Sequence, residues 1–284
     1  MTVQVRSATV GMQNFGGVMR IRLAGDHSSY HCGSAAVVQT IATELRRHGE
    51  IVTGDAYDVL VVNGEGSMHH GGGAFVEKMR LIEAAVAAGR PAHLINSVWQ
   101  DNPHQFDAAL AQCRQAVVRE VLSRDAIAAH GVSAQVMPDL SYFAPIPKGD
   151  VVDFKGGVVM TDFLSREFGC FVRLRSRWAE RYPFVDMRAM DWPTLVRSLK
   201  TARLLVTGRH HAIYAACKAR VPFLALAGNT HKIEGIVATA GVDIPVFKDW
   251  SKLRASMDEA EGWQSRYDRL FDWFETQKPW RLEA

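Results

Sequence analysis

An arginine and two histidines stand where a predicted strand passes into a predicted helix. Residues 203–206 form a short apolar run that predicts a buried strand, a glycine turn follows, and residues 211–218 are typical of a helix. The side chains at this turn are Arg209, His210 and His211. Free backbone N–H groups and the helix dipole favour a bound anion at such a turn. Ligands also bind at this edge of an open α/β sheet, so the pattern predicts recognition of an anion.

A second strand-to-helix turn follows directly along the chain. Residues 222–228 predict another buried strand. The polar residues after it, of which the first two are expected to cap the next helix, are Asn229, Thr230, Lys232 and Glu234. The two turns place Arg209, His211 and Lys232 on one sheet edge, and three potential cations in one cleft predict a doubly charged substrate. In the alternative, Arg209 is a surface charge and the histidines cap or pack the helix. The presence of a second turn with a cation makes this alternative less favoured.

The N-terminal half has glycine-rich and charged residues at similar turns. A buried strand at residues 57–62 runs into the sequence Asn-Gly-Glu-Gly-Ser, where glycines let a backbone approach a ligand closely. A loop at residues 31–34 opens an amphipathic helix. Two further strand ends carry an arginine and an aspartate, which either face the cleft or form an internal ion pair with each other. The candidate residues from these turns are Gly33, Ser34, Gly64, Glu65, Gly66, Ser67, Arg119 and Asp139.

The histidines and cysteines form no metal or disulfide pattern. His69 and His70 are adjacent, so they lack the i, i+4 spacing of a zinc-binding helix, and no acidic cluster lies near them in the sequence. The four cysteines are widely spaced and include no C-x-x-C pair. We therefore expect no metal, no disulfide framework and a reducing environment.

Strands and helices alternate along the whole chain. This alternation predicts a mostly parallel sheet with helices on both faces. Residues 142–150, with two prolines and a glycine, are the best linker, and strands at residues 157–160 and 184–187 restart the alternation. We expect an N-terminal domain over residues 1–145 and a C-terminal domain over residues 151–284, with a cleft between them.

Both ends of the chain carry apolar patterns. Residues 2–23 show the near-alternation of a strand around a glycine turn. At the other end, apolar residues at helical spacing predict a helix from about Ser251 onward. The tryptophans of this region, which include Trp280, could form a membrane or partner surface, but we expect a closing helix that packs across the domain junction.

Composition and charge limit the classes of function. The 284 residues are 48% hydrophobic and 22% charged, which is typical of a soluble globular protein. The net charge of +3 suits an anionic substrate or loose attraction to an anionic membrane, but it falls short of a nucleic-acid footprint. No signal peptide is visible, and no run approaches the roughly 20 apolar residues of a membrane span. We therefore expect a cytoplasmic protein.

Together these motifs resemble the polysaccharide pyruvyl transferase family over most of the chain. The matching positions are residues 31–36, residues 63–66, Arg119, Ser123, Asp139, residues 209–211 and residues 231–235. The chain departs from the family pattern where His31 and Ser34 replace an asparagine and an acid, and at Ala212, where a glycine usually follows the histidine. The resemblance implies two Rossmann-like domains that face a cleft, as in GT-B glycosyltransferases, with a C-terminal closing helix. It also implies that the N-terminal domain is the acceptor side and the C-terminal domain the donor side.

The resemblance implies transfer of pyruvate from phosphoenolpyruvate to a sugar diol, giving a cyclic ketal. Phosphoenolpyruvate carries a carboxylate and a phosphate, so Arg209 would clamp one group with its planar fork while Lys232 and a helix N-terminus neutralise the other. His211 would hold the phosphate or act as general acid, and Glu65 could act as base. A glycan or lipid-linked saccharide would be the acceptor, and no metal or cofactor is required.

Two other functions fit the same residues. A glycosyltransferase of the same fold could hold the diphosphate of a nucleotide sugar with these cations. A non-catalytic glycan-binding relative is motivated by the altered loop at His31 and Ser34. The sequence leaves open the acceptor sugar, peripheral association with the inner face of a membrane, and homo-oligomerisation.

Overall fold

Two parallel β-sheets form the framework of the computed structural model, which describes residues 17–283. Helices follow most strands of both sheets, so the predicted α/β fold class is confirmed. The strand pattern predicted for residues 2–23 lies mostly outside the described residues. Its described end is the first strand, β1, which begins at Met19.

The N-terminal sheet has six parallel strands in the order β2-β1-β3-β4-β5-β6. Their bounds are β1 Met19–Ala24, β2 Gly49–Val52, β3 Val59–Glu65, β4 Ala92–Ser97, β5 Gln115–Val118 and β6 Gln135–Val136. Successive residues of β3 point to opposite faces, because Leu60 and Val62 pack in one apolar cluster and Val59 and Val61 in another. Both faces are therefore covered, which explains why the central strands are continuous apolar runs.

Four helices accompany this sheet. Their bounds are α1 Cys32–Leu45, α2 Gly73–Ala87, α3 Asp107–Leu110 and α4 Val121–Ala128. Helix α1 buries Val37, Ile41 and Leu45 against one face, and helix α2 buries Phe75 and Met79 against the other. The i, i+4 spacing of these apolar residues gives each helix one buried stripe. The turns that lead from the strands into these helices then lie along one sheet edge.

The C-terminal sheet has four parallel strands in the order β12-β11-β10-β7. A short antiparallel hairpin, β8 and β9, is inserted after β7. The strand bounds are β7 Val158–Met160, β8 Phe163–Ser165, β9 Cys170–Val172, β10 Leu204–Thr207, β11 Phe223–Leu226 and β12 Val246–Phe247. The helix bounds are α5 Trp192–Leu199, α6 His210–Ala219, α7 Lys232–Thr239, α8 Trp250–Ala255 and α9 Gln264–Glu275.

The C-terminal helix α9 packs on the second sheet and the linker, and the tail after it returns to the first sheet. The Phe274 ring lies 4.8 Å from that of Tyr142 in the linker and 5.4 Å from that of Tyr214 in α6. Beyond α9, Trp280 and Leu282 are buried in the apolar cluster of the N-terminal sheet. We expected the closing helix itself to pack across the junction of the two halves. In the structure the tail after the helix completes that packing, and the sequence analysis did not predict this role of the tail.

One predicted element is absent from the structure and one observed strand was not predicted. Residues 184–187 do not form a strand, because Phe184 makes only a single bridge to Met160 after the inserted hairpin. Strand β2 was not predicted, since it has only four residues and begins with Gly49, shortly after α1 ends at Leu45. Of the helices described, none is long and apolar enough to cross a membrane.

Candidate active site

A cavity of about 170 Å³ lies where the helix starts of the two halves meet. Its lining residues are Tyr30, His31, Gly66, Phe171, Arg209, His210, His211, Asn229 and Lys232. The starts of α1 and α6 are in close contact, because a Cβ atom on Gly33 would lie 2.5 Å from the Cβ atom of His211. Only glycine fits at position 33 without a shift of the backbone. The structure thus brings the predicted turns of both halves around one small space.

His31 caps helix α1 and forms one wall of the cavity. Its Nδ1 atom accepts hydrogen bonds from the backbone N–H groups of Gly33, at 3.1 Å, and Ser34, at 3.3 Å. Burial, together with the nearby charges of His211 and Arg209, lowers the pKa of His31 to about 2. The ring is therefore neutral at physiological pH, and since Nδ1 is an acceptor, the proton is on Nε2. The histidine takes over the capping role of the asparagine expected from the family pattern.

Glu65 ends strand β3 in an unusual backbone conformation. Its φ of +46° lies in the left-handed region, which is uncommon for a residue with a side chain and marks stored strain. The Ser34 hydroxyl donates to Oε1 at 2.5 Å, and the Nε2 atom of His211 lies 3.6 Å from the same oxygen. Glu65 therefore brings a carboxylate to the helix start, where the family pattern has an acid in place of Ser34.

Arg119 and Asp139 form a buried ion pair, with Nη1 2.7 Å from Oδ2. Burial alone would raise the pKa of Asp139, but His211 and Arg119 hold it well below its ordinary value. The internal ion pair that the sequence left as an alternative is therefore present. It does not exhaust the guanidinium, since Nε and Nη2 of Arg119 are buried and have no hydrogen-bond partner among residues 17–283.

Lys232 and Arg119 converge on the backbone of Gly66. A Cβ atom placed on Gly66 would lie 3.6 Å from both Lys232 Nζ and Arg119 Nη2. Lys232 Nζ donates to Asn229 Oδ1 at 2.8 Å and forms no salt bridge within the described part of the chain. Burial, reinforced by the charge of Arg119, lowers the pKa of Lys232 to about 7. The two positive groups keep N–H donors that lack partners, and the glycine beside them leaves room for a ligand. This arrangement is suited to an anion.

The Arg209 guanidinium is already bound by an acid, contrary to our expectation that its fork would be free for substrate. Nε donates to Asp162 Oδ1 at 2.7 Å and Nη2 donates to Oδ2 at 2.5 Å. The third nitrogen, Nη1, donates to the Tyr30 hydroxyl at 2.5 Å, and the Phe171 ring centroid lies 3.8 Å from Cζ. Arg209 still lines the cavity, but Asp162 neutralises its charge and fixes its position.

The two histidines at the start of α6 have different surroundings. Both ring nitrogens of His210 are buried without a hydrogen-bond partner in the described range, and burial lowers its pKa well below the ordinary value. His211 Nε2 lies 3.5 Å from Asp139 Oδ2 and 3.6 Å from Glu65 Oε1. His211 is therefore the one whose Nε2 atom is placed between two carboxylates.

A family model for polysaccharide pyruvyl transferases matches residues 18–230, which include every site residue described so far except Lys232. The chain is a member of the polysaccharide pyruvyl transferase family. None of the curated protein sequences matches it.

Solved structures with the same fold are distant in sequence. MnaA from S. aureus, in a co-structure with UDP, gives a TM-score of 0.59 at 10% identity over 89% of this chain and 91% of that chain. An uncharacterised protein from Klebsiella pneumoniae gives a TM-score of 0.53 at 12% identity, over 78% of this chain and 87% of that chain. The UDP-GlcNAc 2-epimerase from Methanocaldococcus jannaschii gives a TM-score of 0.50 at 11% identity, over 84% of this chain and 91% of that chain. At such identities the likeness concerns the fold alone, and it agrees with the predicted GT-B-like architecture.

Nine predicted residues of this pyruvyl transferase family member do not line the cavity, namely Gly33, Ser34, Gly64, Glu65, Ser67, Arg119, Asp139, Thr230 and Glu234. Gly64 packs against Ser97, whose Oγ would lie 2.5 Å from a Cβ atom, and Ser67 Oγ donates to the Gly64 carbonyl at 2.8 Å. Thr230 is buried, and Glu234 is half-buried on α7. The expected cap of α7 is also different, since His231 precedes the helix without a side-chain cap and Asn229 instead contacts Lys232.

The sequence analysis missed four residues at this site. Tyr30, Asp162 and Phe171 surround Arg209, and of these Asp162 had a usable signal, because it follows β7 on the sheet edge that carries Arg209. Lys78 reaches from α2 beneath the glycine turn, where its Nζ donates to Ser67 Oγ at 2.6 Å and to the Gly64 carbonyl at 3.1 Å. Burial lowers the pKa of Lys78 to about 8. No local sequence pattern identifies it.

Two side-chain groups have the chemistry of metal ligands. The first is Asp139 with His210 and His211, where the adjacent Arg119 guanidinium opposes a second cation. The second, on the N-terminal half, consists of His104, Asp107 and His130, and both its imidazoles hydrogen-bond the carboxylate, at 2.7 and 2.6 Å. These internal contacts account for the second group without an ion. The absence of a metal requirement stays a prediction.

Proposed function

We propose that this protein transfers a pyruvyl group from phosphoenolpyruvate to two hydroxyls of a sugar in a glycan or lipid-linked saccharide, with release of phosphate. The observation that carries the proposal is the convergence of Arg119 Nη2 and Lys232 Nζ on Gly66, at the wall of a small cavity. Two cations with unsatisfied donors favour a compact ligand with concentrated negative charge. Membership of the family makes phosphoenolpyruvate the first candidate.

The size of the cavity favours this donor over a nucleotide sugar. Its volume of about 170 Å³ is below the ~300–1,000 Å³ typical of sites for larger ligands. A three-carbon acid with one phosphate suits such a space, whereas a nucleotide sugar would need the cavity to open. In this arrangement one anionic group of phosphoenolpyruvate lies against Gly66 between Arg119 and Lys232, and the other is directed toward His211 and Arg209.

The reaction requires three proton transfers, one onto carbon and one off each sugar hydroxyl, and it has one leaving group. Protonation of the methylene carbon of the enol produces a cationic centre at C2, which the first sugar hydroxyl attacks while losing its proton. The second hydroxyl then displaces phosphate, and its proton leaves with the phosphate or is taken up by a base. The products are a cyclic ketal and inorganic phosphate, so no oxidant or reductant is consumed. Arg119 and Lys232 stabilise the charge that develops on the departing phosphate.

Glu65 and His211 are the residues placed to move these protons. His211 Nε2 lies between the carboxylates of Glu65 and Asp139, so it can hold a proton and deliver it. Glu65 Oε2 is buried without a hydrogen-bond partner among the described residues, so that oxygen is available to a sugar hydroxyl. His31, with its proton on Nε2, is a fixed donor in the cavity wall.

A larger groove of about 490 Å³ adjoins the cavity and suits the acceptor. Tyr30 and His31 line both spaces, so a hydroxyl bound in the groove lies beside the donor cavity. The groove wall also offers Ser28, Gln39 and Asp191, which can hydrogen-bond sugar hydroxyls. The acceptor thereby enters from the side of the α1 loop, in agreement with the family resemblance.

Thermal unfolding with candidate donors tests this proposal. Saturating phosphoenolpyruvate should raise the melting temperature by several degrees, and UDP-sugars should not. The Gly66→Ala variant places a methyl group between the two cations at ordinary contact distance, so it should fold and lose the shift. Gly73→Ala, whose Cβ atom meets nothing within 4 Å, is the matched control. A shift with UDP-sugars alone would exclude the pyruvyl donor, and glycan binding without phosphate release would favour a non-catalytic role.

A further inference from the structure

A separate concentration of positive charge lies in the hairpin region, residues 163–181, which starts with β8. The region contains two glutamates, Glu167 and Glu180, and five exposed arginines, Arg166, Arg173, Arg175, Arg177 and Arg181. Its net charge of +3 equals that of the whole chain. The rest of the protein is therefore balanced in charge, and the excess is local.

Three of these arginines lie on the short irregular stretch that follows β9 and ends in a turn at residues 177–178. Exposure alternates along it, since Arg173, Arg175 and Arg177 are exposed while the residues between and after them are partly buried. Leu174 and Trp178 pack inward against the apolar cluster of the C-terminal sheet. Five residues of chain therefore expose three arginine side chains to solvent.

The five arginines form no salt bridge with any of residues 17–283. Some exposed arginines elsewhere on the surface do have acidic partners, such as Arg20 with Asp58 at 2.8 Å and Arg220 with Asp272 at 2.9 Å. Among the five arginines, Arg173 lies against a ring in the described part of the chain, with its Cζ 4.5 Å from the Phe184 ring centroid. The region thus presents charge that the protein does not neutralise.

An exposed aromatic residue lies at the tip of the same hairpin. Phe168, between β8 and β9, is 67% exposed, more than any other phenylalanine, tyrosine or tryptophan side chain among residues 17–283. Arginines around an exposed phenylalanine are typical of surfaces that bind the headgroup region of an anionic bilayer, where the ring enters the interface and the guanidinium groups contact phosphates. A single-stranded nucleic acid would also satisfy the arginines and stack a base on the ring, so RNA is included in the test below.

We propose that the hairpin region binds the surface of a membrane that contains anionic lipids. The same hairpin reaches the active site, because Phe171 of β9 lies against Arg209 and lines the cavity. Binding through this region holds the cavity close to the lipid surface, where a lipid-linked saccharide would be present. The surface contact itself does not depend on which reaction the cavity performs.

Co-sedimentation of the intact protein with lipid vesicles tests the proposal. Vesicles with 30% phosphatidylserine should bind the protein at low salt, and pure phosphatidylcholine vesicles should not. Loss of three interfacial arginines lowers partitioning by on the order of 100-fold, so the variant Arg173→Gln/Arg175→Gln/Arg177→Gln should no longer sediment. The control Arg46→Gln/Arg80→Gln/Arg269→Gln removes the same charge from exposed sites elsewhere and should sediment like the wild type.

Two further arms identify the ligand. Phe168→Ser should weaken binding to anionic vesicles, whereas Val151→Ser, at another exposed apolar residue, should not. Binding should disappear at 0.5 M salt and should survive millimolar inorganic pyrophosphate, because the bilayer offers many phosphates at once. The proposal would be overturned by an equal loss of binding in the two triple variants or by equal binding to neutral vesicles. Tighter binding of a single-stranded RNA oligonucleotide than of anionic vesicles would also overturn it. Since no donor is present, the outcome is independent of the pyruvyl transfer reaction.

Discussion

Arg209 and Asp162 form a two-pronged ion pair across the second sheet edge, with Nε 2.7 Å from Oδ1 and Nη2 2.5 Å from Oδ2. Both side chains are largely buried, so the acid fixes the guanidinium between Tyr30 and Phe171. Arg209 therefore does not offer the free positive charge that the sequence had indicated at the strand-to-helix turn. Its guanidinium is a fixed, neutralised part of the cavity wall. The free donors for an anion come instead from Arg119 and Lys232.

Removal of Asp162 tests this structural role. Asp162→Ala leaves the Arg209 charge without a partner, and we expect the free energy of unfolding to fall by about 2–3 kcal/mol. The control Asp243→Ala removes the exposed partner of the half-buried Arg266 and should cost less than about 1 kcal/mol. Urea denaturation of both variants gives the comparison. Equal, small losses would mean that Asp162 does not hold Arg209.

The proton of Lys232 should make donor binding depend on pH. The pKa of Lys232 is lowered to about 7, so the amine is charged below pH 7 and increasingly neutral above it. An anion binds the charged form, so affinity for phosphoenolpyruvate should fall about tenfold per unit as pH rises from 7.5 to 9.5. The ligand does not contribute, because a phosphate with its second pKa near 6 is already fully charged there.

Titration calorimetry in buffers of different ionisation enthalpy measures this linkage. At pH 8.5, binding to the wild type should take up close to one proton, and Lys232→Arg should bind with no uptake. Lys232→Met should lose binding and melt a few degrees higher, because it removes a buried charge. The exposed Lys200→Met is the control and should behave like the wild type. Affinity that is flat from pH 7.5 to 9.5 would exclude Lys232 as an anion ligand.

The cap at His31 gives a second stability test. His31→Ala removes the acceptor for the Gly33 and Ser34 N–H groups, and it should destabilise the protein by about 1 kcal/mol. His31→Asn restores a capping acceptor and should stay within a few tenths of a kcal/mol of the wild type. If the two variants are equally unstable in urea, the ring acts through packing and not as a cap.

Glu65 should affect the chemical step more than donor binding. Glu65→Gln keeps a partner for the Ser34 hydroxyl but cannot accept a proton, so we expect kcat to fall at least 100-fold with the affinity for phosphoenolpyruvate unchanged. Glu234→Gln, on α7 outside the cavity lining, should retain activity. Phosphate release measures kcat, and a loss confined to donor affinity would contradict a role in proton transfer.

Much of the fold could be predicted because its signals are local. The apolar run before Arg209 and the helix after it appear in the structure as β10 and α6. The turns that supply Gly66, Arg119 and Lys232 were also predicted from their place after strands. Residues 184–187 show the limit, since an apolar run without a full set of neighbouring strand partners does not become a strand.

The partners of the site residues could not be predicted, because they depend on contacts between distant segments. Asp162 is 47 residues from Arg209, and Lys78 reaches the glycine turn from the second turn of a helix. The contribution of Trp280 to the N-terminal core likewise follows from the path of the tail. A sequence pattern gives the edge at which a side chain lies, but it does not give the opposing charge that neutralises it.

A crystal structure with phosphoenolpyruvate and no acceptor tests the central claim most directly. We predict that one anionic group of the ligand lies against Gly66, within about 3 Å of both Lys232 Nζ and Arg119 Nη2, with the enol carbon facing His211 and Glu65. Phosphoenolpyruvate bound away from Gly66, or an empty cavity at saturating ligand with the cavity otherwise as described, would contradict the account.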